Sequence, residues 1–279
     1  MSRGLGDVYK RQILHVLRCF DNDNIVHVDA NIDPVRDKET IDIELQLKDL
    51  ETVEKRLERV NKAARTGDKE AIKEVEVLKK LKSGLEASVS VRAIELSEKE
   101  REEYVSALQL LTDKPVLYVC NVDEASAVSG NSYVDAVREA VAHETAEVLV
   151  LAVATEADIM ELDDYEERQM FLEDLGLDEP GVSKLIRYAY RLLNLQTYFT
   201  AGKKEVRAWT IHIGDSAPAA AGVIHTDFEK GFIRAEVIKY DDFVHYGSEL
   251  KVREAGKLSV EGKEYVVQDG DMMNFRFNV

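Results

Sequence analysis

Cysteine is scarce in this chain of 279 residues, which contains only Cys19 and Cys120. Two thiols are too few for a disulfide scaffold or a cysteine-based zinc site, and they favour a reducing compartment. Long apolar runs are also missing, since none approaches the roughly 18–20 residues that span a bilayer. Residues 1–12 contain no apolar run either, which argues against a signal peptide. We therefore expect a cytoplasmic protein with no membrane partner.

An excess of positive charge is the third absence. The formal net charge of −17 argues against a generally basic nucleic-acid binder, so we expect no DNA partner. The charge is nevertheless uneven. Residues 55–82 carry ten Lys or Arg against five acids, whereas residues 156–179 carry eleven acids and one arginine. These two segments are not expected to share a partner.

Helical periodicity dominates the first third of the chain. A short apolar run at 13–20 predicts a buried strand. From about Thr40, apolar residues at three- or four-residue steps predict one helix, and a second such pattern follows the turn at 66–68. The predicted apolar face of the first helix comprises Ile43, Leu47, Leu50, Leu57, Val60 and Ala64. Two helices joined by a tight turn predict an antiparallel hairpin, and their narrow stripes fit a projecting coiled coil.

Strands and helices then alternate, which indicates a parallel α/β sheet. A capping box at 97–100 predicts a third helix reaching about Leu111. Strands are predicted at 116–120 and 148–153, a helix capped by Ser132 lies between them, and another helix opens at 180–181. Beyond residue 195, closely spaced turns with strands at 206–213 and 232–238 predict a small mixed α+β module of about 85 residues.

The most informative short motif is Asn121-Val122-Asp123-Glu124, which directly follows the strand at 116–120. Ligands of open parallel sheets bind at the carboxyl ends of the strands, so this loop is placed to contact a nucleotide base. An aspartate at the fourth position would accept two N–H bonds from guanine, whereas Glu124 suits adenine better. Taken alone, the four-residue pattern indicates an ordinary polar loop more often than a base-binding one, because such short patterns arise constantly.

Five longer segments make the chain resemble the Obg-like ATPase (YchF) family. They are NVDEAS at 121–126, TEADIMELDD at 155–164, LNLQTYFTAGKKEVRAWTI at 193–211, HTDFEKGFIRAEVI at 225–238 and DGDMMNFRFNV at 269–279. The resemblance covers residues 13–279. It implies an α/β domain with a P-loop GTPase-type parallel sheet, an inserted α-helical coiled-coil hairpin and a C-terminal TGS domain of β-grasp fold. Family members are described as ATPases that bind ribosomes, with ATP and Mg²⁺ as cofactors.

The resemblance assigns parts and residues by position. It implies a partial nucleotide-binding domain at 13–43 and 112–194, the helical insertion at 44–111 and the TGS domain at 195–279. Asn121 and Glu124 match the family's base-recognition motif, with the Val122 backbone beside the adenine. Ala154 lies in the loop after the next strand, where a backbone N–H meets the base.

The sequence departs from the family pattern in the motifs that bind the phosphate groups of the nucleotide. None of the fifteen glycines lies in a G-x-x-x-x-G-K-[ST] motif, and no D-x-x-G precedes the strand at 13–20. The D-x-x-G at 178–181 lies between late helices and is not interpreted as a γ-phosphate sensor. Residues 1–12 match nothing in the family, so we expect a foreign leader on an N-terminally truncated chain. Such a chain is expected to bind adenine nucleotide weakly, to hold no cofactor tightly and to be inactive alone.

The basic hairpin and the TGS-like module suggest macromolecular partners. We predict contact with the ribosome or ribosomal RNA through seven hairpin cations, which are Lys55, Arg56, Arg59, Lys62, Arg65, Lys69 and Lys73. A solvated coiled-coil surface is the alternative for this charge. The competing function is a non-catalytic interaction protein that uses the hairpin and the TGS-like module. The six histidines show no metal-ligand spacing, and no metal site is predicted.

Overall fold

The computed structural model describes residues 11–25, 31–144, 146–202 and 205–278, so the predicted leader lies outside them except for Arg11 and Gln12. In chain order the elements are β1 (Ile13–Arg18), α1 (Pro34–Ala64), α2 (Lys69–Glu86), α3 (Glu98–Glu100), β2 (Val116–Asn121), α4 (Ser132–Ala140), β3 (Glu147–Leu151), α5 (Val153–Glu161), α6 (Tyr165–Asp174), α7 (Gly181–Leu192), β4 (Leu195–Ala201), β5 (Val206–His212), α8 (Ala217–Ile224), α9 (Thr226–Lys230), β6 (Phe232–Ile238), α10 (Tyr240–Tyr246), α11 (Glu249–Glu254), β7 (Ser259–Glu261) and β8 (Met272–Phe277). Two compact units divide between Ala189 and Tyr190. The four-part domain assignment stays a prediction.

A parallel three-stranded sheet of order β1-β2-β3 forms the centre of the first unit, which confirms the predicted mixed α/β class. The buried strand is β2, in which Leu117 and Tyr118 are fully covered. Among the described residues β1 pairs on one side only, and its Leu14 and Val16 are 43% and 59% exposed. One face of β1 therefore presents apolar surface.

Helix α1 begins six residues before the predicted start near Thr40. Its N-cap is Asp33, whose carboxylate accepts from the backbone N–H groups of Val35 and Arg36. Pro34 follows as the first helical residue, where its missing N–H costs no intrahelical hydrogen bond. The pair Asp33-Pro34 is therefore the helix start, and the predicted start near Thr40 was wrong.

Helices α1 and α2, hereafter the hairpin, lie side by side and are joined at 65–68. Ion pairs cross between them, with 2.6 Å from Arg56 Nε to Glu74 Oε1 and 2.6 Å from Lys82 Nζ to Glu54 Oε1. Asp68 caps α2 by accepting from two backbone N–H groups. Buried Leu78 and Leu81 belong to the apolar core between the helices. The coiled-coil assignment stays a prediction.

The predicted apolar face of α1 is only partly buried. Ile43 and Leu47 are 50% and 61% exposed, whereas the polar residues Gln46 and Asp49 are buried. Hydrogen bonding explains the exchange: Gln46 donates to the Ser88 carbonyl at 3.2 Å, and Asp49 accepts three bonds. Buried polar groups that are fully bonded carry little penalty, so apolar periodicity misplaced this half of the face.

The base of the hairpin is closed by Asp49 and Thr112, hereafter the junction. The Asp49 carboxylate accepts from Leu111 N at 2.8 Å, Thr112 N at 2.6 Å and Thr112 Oγ1 at 2.7 Å. Thr112 Oγ1 in turn accepts from Val91 N at 3.1 Å. Three chain segments, namely α1, the stretch after α2 and the approach to β2, are therefore fixed at one point.

The capping box at Ser97 and Glu100 is confirmed, but the long third helix is wrong. Only one turn, α3, is α-helical, and a wider turn followed by a tighter turn leads to Gln109. Gln109 has a φ of 53°, in the left-handed region, which ends the helical path.

The second unit contains a five-stranded mixed sheet of order β5-β4-β8-β6-β7. The strands predicted at 206–213 and 232–238 are β5 and β6, while β4 and β8 were not predicted. Ala217, Ala220 and Ala221 let α8 approach the sheet closely, and buried Tyr198 donates to the Ala220 carbonyl at 2.9 Å. The β-grasp assignment stays a prediction.

Candidate functional site

Three loops leave the carboxyl ends of β1, β2 and β3 at one edge of the parallel sheet. The sheet bonding continues into them, since Cys19 N donates to the Asn121 carbonyl at 2.8 Å and Val122 N to the Leu151 carbonyl at 3.0 Å. This edge is where open α/β sheets bind ligands. The structure places Asn121, Val122 and Ala154 at this edge, and their role in base recognition stays a prediction.

Asn121 joins two of these loops. Its Oδ1 accepts from Val153 N at 3.1 Å, which fixes the orientation of the side-chain amide. Within the described residues the Asn121 NH₂ group has no protein partner. The amide therefore offers donors, and its oxygen is occupied.

Ala154 lies exposed in the first turn of α5. The first N–H groups of a helix have no intrahelical partner. Asn121 Oδ1 accepts from the Val153 N–H. Within the described ranges the Ala154 N–H has no acceptor. The helix start thus presents a backbone donor beside the Asn121 amide.

Glu124 lies in a single turn at 124–126 and is exposed. Asp123 fixes this turn, because its Oδ1 accepts from Ser126 N at 3.0 Å. In the part of the chain that the structure describes, the Glu124 carboxylate has no bonding partner. The Val122 side chain is buried, so Val122 contributes to this edge through its backbone.

Asn131 is a positioning residue that the sequence did not reveal. It caps α4 by accepting from Tyr133 N and Val134 N, so the predicted cap at Ser132 was wrong. Its Nδ2 donates to the Cys19 carbonyl at 2.8 Å. Tyr133 also donates to Asp21 Oδ1 at 2.9 Å. The loops after β1 and β2 are thereby held together.

The D-x-x-G sequence at 178–181 has a packing role. Gly181 is buried at the start of α7, where its N–H donates to Glu156 Oε1 at 2.7 Å. A Cβ on Gly181 would lie 1.9 Å from Leu151 Cδ1, so any larger residue would collide. That this motif senses no phosphate stays a prediction.

A half-buried ion cluster, also missed by the sequence, connects α1 with the chain before β3. Lys38 Nζ lies 2.8 Å from Asp42 Oδ2 and 2.9 Å from Glu144 Oε1, and Tyr118 donates to Glu144 at 3.0 Å. Burial opposes the charge on Lys38, but the two carboxylates raise its pKa above the ordinary range. Burial likewise opposes the charge on Glu144, and the Lys38 hydrogen bond keeps the Glu144 pKa below its usual value.

The seven predicted RNA-contact residues fall into two groups. Lys55 is paired with Glu51, Arg56 with Glu74, and Lys73 with Glu70 at 2.9 Å. No ion pair within the described residues involves the other four, which flank the tip of the hairpin and are at least partly exposed: Arg59, Lys62, Arg65 and Lys69. The tip is therefore the part whose positive charge is not compensated.

The carboxyl edge offers N–H donors from Asn121 and Ala154 and the exposed carboxylate of Glu124. Among the described residues no group of three or more His, Cys, Asp or Glu is placed to hold a metal ion. No helix in the described part is long and apolar enough to cross a membrane.

Comparisons with known proteins identify relatives of this chain. Residues 195–278 match the family model YchF-GTPase_C, described as a protein of unknown function (DUF933). The chain is 53% identical to the Ribosome-binding ATPase YchF of Escherichia coli O157:H7, over 100% of this chain and 77% of the relative. The protein of the same name from Bacillus subtilis (strain 168) is also 53% identical, over 96% and 73%.

A solved structure extends the likeness to three dimensions. The Schizosaccharomyces pombe YchF GTPase superimposes with a TM-score of 0.80 at 36% identity, covering 95% of this chain and 72% of that one. Identity at this level over nearly the whole chain confirms the family resemblance seen in the sequence. The chain belongs to the YchF family.

Proposed function

We propose that this protein is a cytoplasmic, ribosome-associated member of the YchF family that binds adenine nucleotide. The observation that carries the proposal is its 53% identity, over 100% of its length, to a relative named as a ribosome-binding ATPase. The open donors at the carboxyl edge and the uncompensated charge at the hairpin tip support the two binding functions separately.

Adenine recognition follows from the groups at the carboxyl edge. The Asn121 amide and the Ala154 N–H donate to ring nitrogens, and the Glu124 carboxylate accepts from the exocyclic amino group. Guanine carries a carbonyl oxygen where adenine carries that amino group, so Glu124 would face an acceptor. The Val122 backbone lies beside the ring. The edge therefore favours adenine over guanine.

Equilibrium binding of ADP and GDP to the purified chain tests base recognition. ADP is expected to bind more tightly than GDP. Asn121→Ala is expected to weaken ADP binding about tenfold, because the substitution removes one hydrogen bond to the base and the hydrogen bond from Val153 N. Asn61→Ala, at a half-buried asparagine of the hairpin, is the matched control and should leave binding unchanged. Equal affinities for the two nucleotides would refute the proposal.

Hydrolysis is a separate matter, because phosphoryl transfer depends on groups that position and neutralise phosphate. In the complete family protein ATP is bound with Mg²⁺, whereas this sequence contains no G-x-x-x-x-G-K-[ST] motif. We therefore expect no steady release of phosphate from ATP or GTP. Turnover by the purified chain that Asn121→Ala abolishes would contradict this expectation.

Ribosome contact is assigned to the hairpin tip. Arg59, Lys62, Arg65 and Lys69 reach the surface and have no carboxylate partner within the described residues, so their charge is available to phosphate groups. Lys55, Arg56 and Lys73 are already paired and contribute less. RNA phosphates are the partner that best matches a compact set of exposed cations.

Co-sedimentation with ribosomes at several salt concentrations tests this assignment. Reversing Arg59, Lys62 and Arg65 to glutamate should weaken binding and flatten its salt dependence, by up to about one log unit for each phosphate that is no longer neutralised. The matched control reverses the paired set Lys55, Arg56 and Lys73, which changes the net charge equally. An unchanged slope in the tip variant would favour a solvated surface. Ribosome binding that does not change when nucleotide is added would favour the competing function, a non-catalytic interaction protein.

A further inference from the structure

A polar cavity of about 750 Å³ lies in the first unit, at the amino ends of β2 and β3. One face of α1, the stretch after α2, the approach to β2 and the chain before β3 form its walls. Its polar lining includes Asp42, Gln46, Ser88, Ser90 and Asp113. A concave space of this volume with a few convergent polar groups is typical of a small-molecule site.

Gln46 brings a buried acceptor without a donor to this lining. Gln46 is 7% exposed, and its Nε2 donates to the Ser88 carbonyl at 3.2 Å and to Ser90 Oγ at 3.3 Å. These two bonds fix the orientation of the amide. Within the described residues no group donates to Gln46 Oε1. A buried polar atom without a partner costs free energy, and a donor that enters the cavity would recover it.

Two carboxylates of the lining each have an unused oxygen. Asp42 Oδ2 accepts from Lys38 Nζ at 2.8 Å, and Asp113 Oδ1 accepts from Arg101. In the part of the chain that the structure describes, no donor reaches Asp42 Oδ1 or Asp113 Oδ2. Together with the oxygen of Gln46, these atoms make a set of open acceptors. Such a set selects a ligand that is rich in N–H donors.

The charges on one side of the cavity cancel. Lys38 lies between Asp42 and Glu144, at 2.8 Å and 2.9 Å, and Arg92 pairs with Glu144 at 3.2 Å. These two cations and two carboxylates are already satisfied by one another. They therefore leave no net charge for an anion to bind.

The charges near Asp113 do not cancel. Asp113 pairs with Arg101, but the neighbouring Asp49 carboxylate accepts only from neutral groups. Burial raises the pKa of Asp113 above its ordinary value; Arg101 opposes this shift, and the Asp49 charge adds to it. Two carboxylates thus share one arginine. The excess negative charge favours a cation at this end of the cavity.

We infer that this cavity binds a linear aliphatic diamine or polyamine through its primary ammonium groups. Asp42 and Gln46 lie one helical turn apart on α1, so one ammonium group can donate to both of their open oxygens. A second ammonium group donates to Asp113 Oδ2, where the excess negative charge lies. An ammonium group carries three N–H donors and no acceptor, which matches this lining. The inference goes beyond the proposed function, because the cavity lies at the amino ends of the strands and takes in neither the carboxyl edge nor the hairpin tip.

Isothermal titration calorimetry of the full, nucleotide-free chain with hexamethylenediamine tests the inference. The titration is made at about 0.15 M salt, where long-range attraction to the acidic surface is largely screened. We expect saturable binding of one molecule per chain. Hexamethonium has the same charge on the same carbon chain but carries no N–H group. It should therefore bind about tenfold more weakly or less.

Two variants test the two ends of the cavity. Asp113→Asn keeps the shape of the side chain and removes its charge, and it should weaken diamine binding about tenfold. Gln46→Leu removes the open amide oxygen and should also weaken it. Asp135→Asn is the matched control, because Asp135 likewise pairs with an arginine but is 74% exposed and lies outside the lining. Circular dichroism checks folding, and Asp113→Asn alone decides the test if Gln46→Leu, which also loses two bonds, does not fold.

Three outcomes would overturn the inference. The first is the absence of saturable binding of hexamethylenediamine. The second is equal binding of hexamethonium, or equal affinities of Asp113→Asn and Asp135→Asn, since either would show attraction to the acidic surface as a whole. The third is tight binding of a lysine-containing peptide that the diamine does not displace, which would identify a protein partner instead.

Discussion

Replacing Asp49 by alanine tests the junction that closes the base of the hairpin. Asp49 is 2% exposed, and its carboxylate accepts three hydrogen bonds of 2.6–2.8 Å. The substitution leaves the N–H groups of Leu111 and Thr112 and the Thr112 hydroxyl without an acceptor. An unsatisfied buried donor costs about 1–3 kcal/mol. Because the hydroxyl can rotate and water can enter, we expect a total loss of about 3–5 kcal/mol, less than the sum.

Urea denaturation followed by far-UV circular dichroism measures this loss. The expected loss is a large fraction of a typical free energy of unfolding, which is about 5–15 kcal/mol. Asp49→Asn should cause an intermediate loss of stability. Its amide oxygen can still accept a hydrogen bond, but its NH₂ group would face N–H groups that are themselves donors. The matched control is Asp135→Ala, at a side chain that is 74% exposed, which should change stability by less than about 0.5 kcal/mol. A loss below about 1 kcal/mol in Asp49→Ala would show that the segment at 111–112 relaxes and that the junction is not a fixed point.

Two further predictions concern acid stability and close packing. Burial lowers the pKa of His15 below its ordinary 6.5, so the unfolded chain binds a proton more readily and stability falls as the pH drops below 6.5. Denaturation midpoints measured from pH 7 to pH 5 should show a shallower fall in His15→Gln than in the unaltered chain, and an equal fall would refute the argument. Gly231→Ala places a Cβ 2.0 Å from the Asn278 carbonyl oxygen, and thermal melting should show a loss of about 1–3 kcal/mol. Gly262→Ala, which meets nothing within 4 Å, should be near neutral, and equal effects of the two would refute the packing argument.

Sequence reasoning succeeded where the signal was local. The loop at 121–124 was recognisable because a polar motif directly follows an apolar strand, and the capping box at 97–100 because both partners lie in one turn. It failed where partners are distant in the chain. Gln46 and Asp49 are buried because residues at 88 and 111–112 bond them, and no helical periodicity records such partners.

The ion cluster and β4 illustrate the same limit. Lys38 meets Glu144 across more than a hundred residues, so neither charge stands out locally. Strand β4 buries Leu195, Gln196 and Tyr198, and Gln196 is covered because its amide bonds the Val267 carbonyl. That pattern does not alternate, and the strand was therefore missed. The base-recognition and RNA-contact roles of the predicted residues stay proposals for experiment.

The junction also makes the hairpin a lever arm. From Asp49 to the end of α1 at Ala64 the helix advances fifteen residues, or about 22 Å. A tilt of about 5° at the pivot would sweep the tip cations through roughly 2 Å at that radius, enough to make or break a hydrogen bond to a phosphate. Small displacements of the chain approaching β2 would thus be magnified at Arg59 and Lys62, far from the carboxyl edge of the parallel sheet.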